Sequence, residues 1–135
     1  MDHATTRPAQ ALRAPVRLLI ATAAAVVANL VIFAAASPVG ATWQIEAPYD
    51  ITPVVVGGAS AVPLLVGGVI VPVLARWHAV LRAWIVWGGL GLALVSAVSP
   101  FAVSDDLPTS VALAVMHLVV GAAWVIGMRP GSGDR

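Results

Sequence analysis

The chain has 135 residues, 60% of them hydrophobic and 10% charged, with a mean hydropathy of +0.97 and a formal charge of +1. Soluble domains carry roughly 25% charged residues, and seven arginines, six carboxylates and no lysine cannot clothe a water-facing domain of this size. A soluble domain is excluded, lipid is the natural neighbour of the apolar surface, and the near-zero overall charge points to no nucleic-acid partner.

Four apolar segments follow along the chain. The first, Leu18–Ala36, has 19 residues and no charge. The second, Pro53–Ala75, opens with Thr52 then Pro53, a helix N-cap followed by proline at the first helical position. The third occupies 79–99, starting near Trp77 or Ala83 and ending by Ser99 before Pro100. The fourth runs from Thr109 to Met128. At 1.5 Å per residue such lengths span roughly 28–35 Å, the thickness of a hydrocarbon core. A lipid-exposed barrel strand would need polar-in alternation, which these alanine-, valine- and leucine-rich runs lack. The predicted fold is all-α, an integral membrane four-helix bundle over 18–128, with tails at 1–17 and 129–135.

The arginines orient it. Arg7, Arg13 and Arg17 precede the first span, Arg76 and Arg82 lie between the second and third, and Arg129 and Arg135 follow the fourth. All seven fall on one side of a four-pass layout. The opposite loops, 37–52 and 100–108, carry instead four of the six carboxylates, Glu46, Asp50, Asp105 and Asp106. By the positive-inside rule both termini are expected in the cytoplasm, and the protein in the cell's inner (plasma) membrane. Trp77, Trp84 and Trp124 suit the inner boundary, and Trp43 and Tyr49 the outer one. A competing reading makes the first span a secretory signal cleaved near Ala34-Ala35-Ala36, although its apolar run is longer than a usual signal core.

Lipid gives apolar helices no hydrophobic reason to associate, so packing must come from close approach and polar contacts. Gly89, Ala93 and Ala97 recur every four residues in the third span, and Gly57 and Ala61 do so in the second. Packing within one bundle is the simplest use of such faces, and contact between copies or with a membrane partner protein is the alternative. Pro63 and Pro72 deprive the carbonyls of Ala59 and Gly68 of their helical donors, which bends the second span or shapes a cavity.

His117 is the one ionisable side chain well inside a span. It stands about 16 Å from the end of its helix at Met128, and Asn29 lies at nearly the same depth on the first span. An intramembrane ionisable residue is a functional candidate by default. Two uses stay open: an Asn29–His117 clasp between helices, or a polar contact for a proton, a quinone or another ligand. One histidine makes a poor metal or haem site, and the chain has no cysteine, so neither metal nor cofactor is expected. Ser60 and Ser96 join Ser99, Thr109 and Ser110 in the outer half, where an outward-opening vestibule above His117 is one expectation. Hydroxyls bonding carbonyls of their own helices is the other. Glu46 with Asp50, and Asp105 with Asp106, are loop carboxylates expected in solvent, where Asp50, Asp105 or Asp106 can cap a following helix and the group can attract a cation or partner; acid–base catalysis would need a shielded pair. No catalytic residue is assigned. Walker, GxSxG, HExxH and EF-hand patterns are missing, and the first span lacks a carboxylate for drug–proton exchange.

The run Ala114-Val115-Met116-His117-Leu118-Val119-Val120, with Ser96-Ala97-Val98-Ser99-Pro100 closing the third span, resembles a family of small four-helix actinobacterial membrane proteins, domain of unknown function 6069. The similarity covers about Arg13 to Met128. It implies an inner-membrane location and draws attention to His117, and it implies no reaction. The expected function is therefore a non-enzymatic scaffold or partner subunit in the lipid bilayer. The alternative is a protein that binds or transports a small apolar or quinone-like ligand through His117 in an outward-facing pocket.

Overall fold

The computed structural model describes residues 7–76 and 79–129, with side chains from Ala14 to Arg76 and from Val80 to Arg129. Trp77 and Arg135, expected at the inner boundary and the cytoplasmic tail, lie outside the described residues, as do the side chains of Arg7 and Arg13. Five helices follow in order: α1 (Arg7–Ala36), α2 (Pro53–Ala75), α3 (Ala79–Ser96), the single turn α4 (Pro100–Val103) and α5 (Leu107–Met128). A 3-10 turn, Ser37–Val39, follows α1. Four stretches are long and apolar enough to cross a membrane: Ala14–Val39, Pro53–Ala75, Val80–Val103 and Leu107–Met128. This is the all-α, four-helix architecture of a multi-pass membrane protein.

Helix ends follow local chemistry. The Thr52 hydroxyl accepts from the Val55 N–H at 3.3 Å, capping α2 as the Thr-Pro pair predicts. Asp106 caps α5 in the same way, so this helix starts at Leu107 rather than Thr109. The first helix starts well before Leu18, because Ala9, Gln10, Ala11 and Leu12 are good helix formers, and it continues through Pro15. α3 ends at Ser96, where three-residue bonds such as Ser99 N–H to Ser96 carbonyl tighten the chain into α4.

α5 is the hub, packing on α1 along one side and α3 along another, while α1 also packs on α2; α2 and α3 touch each other far less. Accordingly 39% of the α5 span is buried, against 11% of the α3 span. Small residues make the close approaches. Gly127 sits against Leu18 and Ala21 of α1, and a β-carbon on Gly121 would come within 2.7 Å of Ala93 on α3. Both Gly67 of α2 and Gly89 of α3 face the Trp124 ring, where a β-carbon at either would overlap the indole. The ring is thus wedged between α2 and α3, with its N–H donated to the Val86 carbonyl at 3.0 Å.

Two ends of the bundle are built differently. At the arginine end, Arg82 donates to the Met128 carbonyl from Nε (3.4 Å) and Nη2 (3.2 Å), and Arg17 donates to the Arg129 carbonyl. Both cations complete the last turn of α5, where the helix dipole favours positive charge. At the loop end, the two connections are joined to one another. Glu46 N–H donates to the Val103 carbonyl at 2.9 Å beside an antiparallel Ile45–Ser104 bridge. Trp43, held at φ 60°, stacks on Phe33 and donates its indole N–H to Ser37.

Candidate functional site

The weak α2–α3 contact leaves a cleft of about 690 Å³ floored by α5. Each wall is one helix stripe at three- and four-residue spacing: Ser60, Pro63 and Gly67 on α2, Gly89, Ala93 and Ser96 on α3. His117 and Trp124 come up from the α5 floor, and Asn29 is the single contribution of α1. Trp124 stands between α2 and α3 toward the arginine end, with Val71 and Ile85 of the lining one turn beyond it. Ile45, Ile51, Pro100 and Val103 line the loop end, and the exposed rims Val66, Ile70 and Leu92 lie along the α2–α3 seam. A vestibule opening past the loops is one of the two sequence expectations; exposed residues line the cleft both there (Tyr49, Ser99) and along the α2–α3 seam.

The polar centre of the cleft lies at mid-depth on α1 and α2. Asn29 is 2% exposed. Its amide Nδ2 donates to Ser60 Oγ at 2.8 Å and to the Met116 carbonyl at 3.4 Å. Ser60 has already given its proton to the Val56 carbonyl at 2.7 Å. Both neighbours of Nδ2 are therefore acceptors, which settles which end of the amide points at them. The remaining amide oxygen, Asn29 Oδ1, is buried without a partner. A buried acceptor left unpaired costs about 1–3 kcal/mol.

His117 does not pair with Asn29. Its Nδ1 lies 2.7 Å from the Leu113 carbonyl one turn back on its own helix. Asn29 meets the carbonyl of Met116 instead, and the neighbouring position on a helix points about 100° away. That turn carries the His117 ring onto the cleft floor rather than toward α1. A carbonyl partner demands a proton on Nδ1, so in the neutral ring Nε2 holds a lone pair. The interhelical clasp exists, but it joins Asn29 to Ser60 and ties α1 to α2.

Ser96 lines the α3 wall of the cleft, half-buried, about level with His117 by the Gly121–Ala93 pairing of the two helices. Pro63 lines it too, and so does Ala59, whose carbonyl that proline leaves without a helical donor. The loop carboxylates stand apart from this site. Glu46, Asp50 and Asp105 are exposed. Asp106 accepts from Thr42 Oγ1 and N, and from Thr109 N (2.7 Å) and Oγ1 (2.8 Å). Its carboxyl is lowered from 3.8 to about 2, first by the Thr42 hydroxyl, with desolvation opposing and the Thr109 groups adding to the fall. Among the described residues no three metal-ligating side chains converge.

A model of the family of unknown function DUF6069 matches residues 9–133. The chain belongs to this family. No curated protein and no solved structure matches it. Membership in DUF6069 covers the whole bundle, including the cleft, and brings no activity with it.

Several parts of the site were not legible in the sequence. Trp124 reads as a boundary tryptophan, yet it is the wedge between α2 and α3 inside the cleft; its sequence trace is a pair of glycines on two other helices. The arginines Arg17 and Arg82 read as topology signals and also cap α5. Thr42 carries no motif at all, and only the fold brings it to Asp106.

Proposed function

We propose that this protein binds a small lipid-like ligand in the cleft between α2 and α3, entering sideways from the bilayer. The observation that carries this reading is a cavity within the roughly 300–1,000 Å³ usual for small-molecule sites, mostly apolar, with a polar group of Asn29, Ser60, Ser96 and His117 among its lining. The protein sits in the plasma membrane with both termini cytoplasmic, the one-sided arginines supporting that orientation. The loop end then faces outward.

The test is native mass spectrometry of the full chain extracted from its membrane. The wild type is expected to retain one enriched non-protein species, and Ala59→Trp, which fills the cleft from an exposed wall position, to lose it. An identical lipid profile for both proteins would remove the reading.

A second reading, a scaffold or partner subunit, is favoured by a different surface. A shallow apolar groove on the α1–α5 side is lined by Ala24, Ala28 and Ala122 with Ile20 and Ile126 at its edges. Those α5 positions lie on roughly the opposite face of the helix from His117. Such a face suits another membrane helix, and both uses can coexist in one bundle.

A further inference from the structure

We infer that the ligand of this cleft is an amphiphile whose headgroup is a neutral hydroxyl, presented as a donor to Asn29 Oδ1 and His117 Nε2. The inference rests on the binding reading above and adds the ligand's chemistry. Asn29, Ser60 and His117 offer acceptors at this level, and the Ser96 hydroxyl on the α3 wall can donate or accept. Asn29 Oδ1 is unpaired and its residue is 98% buried, the complement of its 2% exposure. His117 has committed its Nδ1 proton to Leu113, leaving Nε2 as a lone pair on the cleft floor. Ser60 has committed its proton to Val56, and the Ala59 carbonyl lacks a helical donor because residue 63 is proline. Asn29 spends its own donor group on Ser60 and Met116.

A group that only accepts, such as a quinone carbonyl, an ether or an ester, could take the Ser96 hydroxyl but would leave Asn29 Oδ1 and His117 Nε2 unpaired. An anion would do the same while carrying full charge. A cation would meet acceptors but no carboxylate, since α1, α2, α3 and α5 contain none, and an unpaired charge at this depth is expensive. A neutral O–H satisfies the site. Below that level the walls run apolar past Val66 and Ile70 to the Trp124 wedge, a channel for one hydrocarbon tail.

The full-length protein in lipid nanodiscs would be titrated with three probes sharing a decyl tail: decylhydroquinone, decylbenzoquinone and decylhydroquinone dimethyl ether. They differ in donor capacity and little in shape. The hydroquinone is expected to bind about tenfold more tightly than either of the others, the yield of one or two hydrogen bonds. His117→Phe, which keeps the ring in a partly open position, is expected to remove most of that preference while leaving tail binding in place. Asn29→Leu should remove the remainder. Decyl alcohol as a fourth probe separates the two sources of hydroxyl: affinity equal to the hydroquinone indicates an aliphatic alcohol, and weaker binding indicates a phenol. Equal affinity for hydroquinone, quinone and ether overturns the donor inference and leaves the binding reading standing. Saturable binding by none of the probes also overturns it, and the binding reading falls with it only if the extracted protein carries no enriched species.

Discussion

The α1–α5 seam and the α2–α3 seam are made from the same few residue types, yet one is closed and the other is a cleft. On the closed seam, Leu18 fits against Gly127, and Ala21 and Ala25 pack with Ala123 and Leu64. On the open one, Val66, Ile70 and Leu92 face each other with branched side chains, and only Trp124 bridges the gap at one end. In water both would collapse, because apolar area alone would drive it. In lipid it does not, so helices join where small residues let backbones approach and stay apart where they do not. Hydrophobicity tells where the bundle sits; the distribution of glycine and alanine tells which seams close.

The contrast is most easily broken at Gly127. Gly127→Leu drives a branched side chain into Leu18, whose Cα would lie 3.6 Å from a β-carbon there. Overpacking of this kind costs about 3 kcal/mol, read as a lowered melting temperature in detergent. The same substitution at Gly88 or Gly91, where a β-carbon meets nothing within 4 Å, should be neutral or slightly stabilising through helix propensity. Equal losses at all three positions would mean that approach distance does not govern stability.

Trp124→Phe tests the open seam. The ring still fills the slot between Gly67 and Gly89 but can no longer donate to the Val86 carbonyl. The expected loss is about 1 kcal/mol. Because Trp124 lines the cleft, retention of the enriched membrane species should fall as well. A stability change with unaltered retention would place the bound species away from Trp124.

Ser60→Ala removes the partner through which Asn29 ties α1 to α2. Hydrogen bonds between membrane helices contribute about 0.6 kcal/mol, so the expected loss is that small. Asn29→Ala combined with His117→Ala should be additive within about 0.5 kcal/mol, since no bond joins those two residues. Strong non-additivity would instead restore an Asn29–His117 clasp.

What the sequence makes legible divides along physical lines. Span number and length follow from hydropathy, and the caps at Thr52 and Asp106 follow from local chemistry, because each is decided within a few residues. Asn29, Ser60, Ser96 and His117 stand out as polar groups in apolar runs, and the structure does bring them to one cleft. Who bonds whom was not legible. Asn29 and His117 share a depth, but depth says nothing about rotation about the helix axis, and one residue of rotation gives the Met116 carbonyl to Asn29 in place of the His117 ring. Nor does a single chain announce that two glycines 22 positions apart, Gly67 and Gly89, hold the same indole.

The smallest expected effect comes from the loop end, where the closed seam is fastened. Thr42, in the connection after α1, and Asp106, at the head of α5, join the two partners of that seam through one carboxylate. The folded-state value of about 2 lies below the ordinary 3.8, so the ionised form is the one the fold prefers. The contribution is complete above pH 3.8 and is lost as pH falls from there through about 2. Stability should thus be flat near neutrality and decline only in that acid window. Subtracting the profile of Asp106→Asn isolates this carboxyl from Glu46, Asp50 and Asp105. Thr42→Val removes the largest cause of the depression, so the midpoint measured by carboxyl NMR titration should move upward toward 3.8. It should move further than in Thr109→Val, whose hydroxyl is a lesser cause. An unmoved midpoint in Thr42→Val would mean that the two loops are not joined through this carboxylate, and that small-residue packing closes the α1–α5 seam unaided.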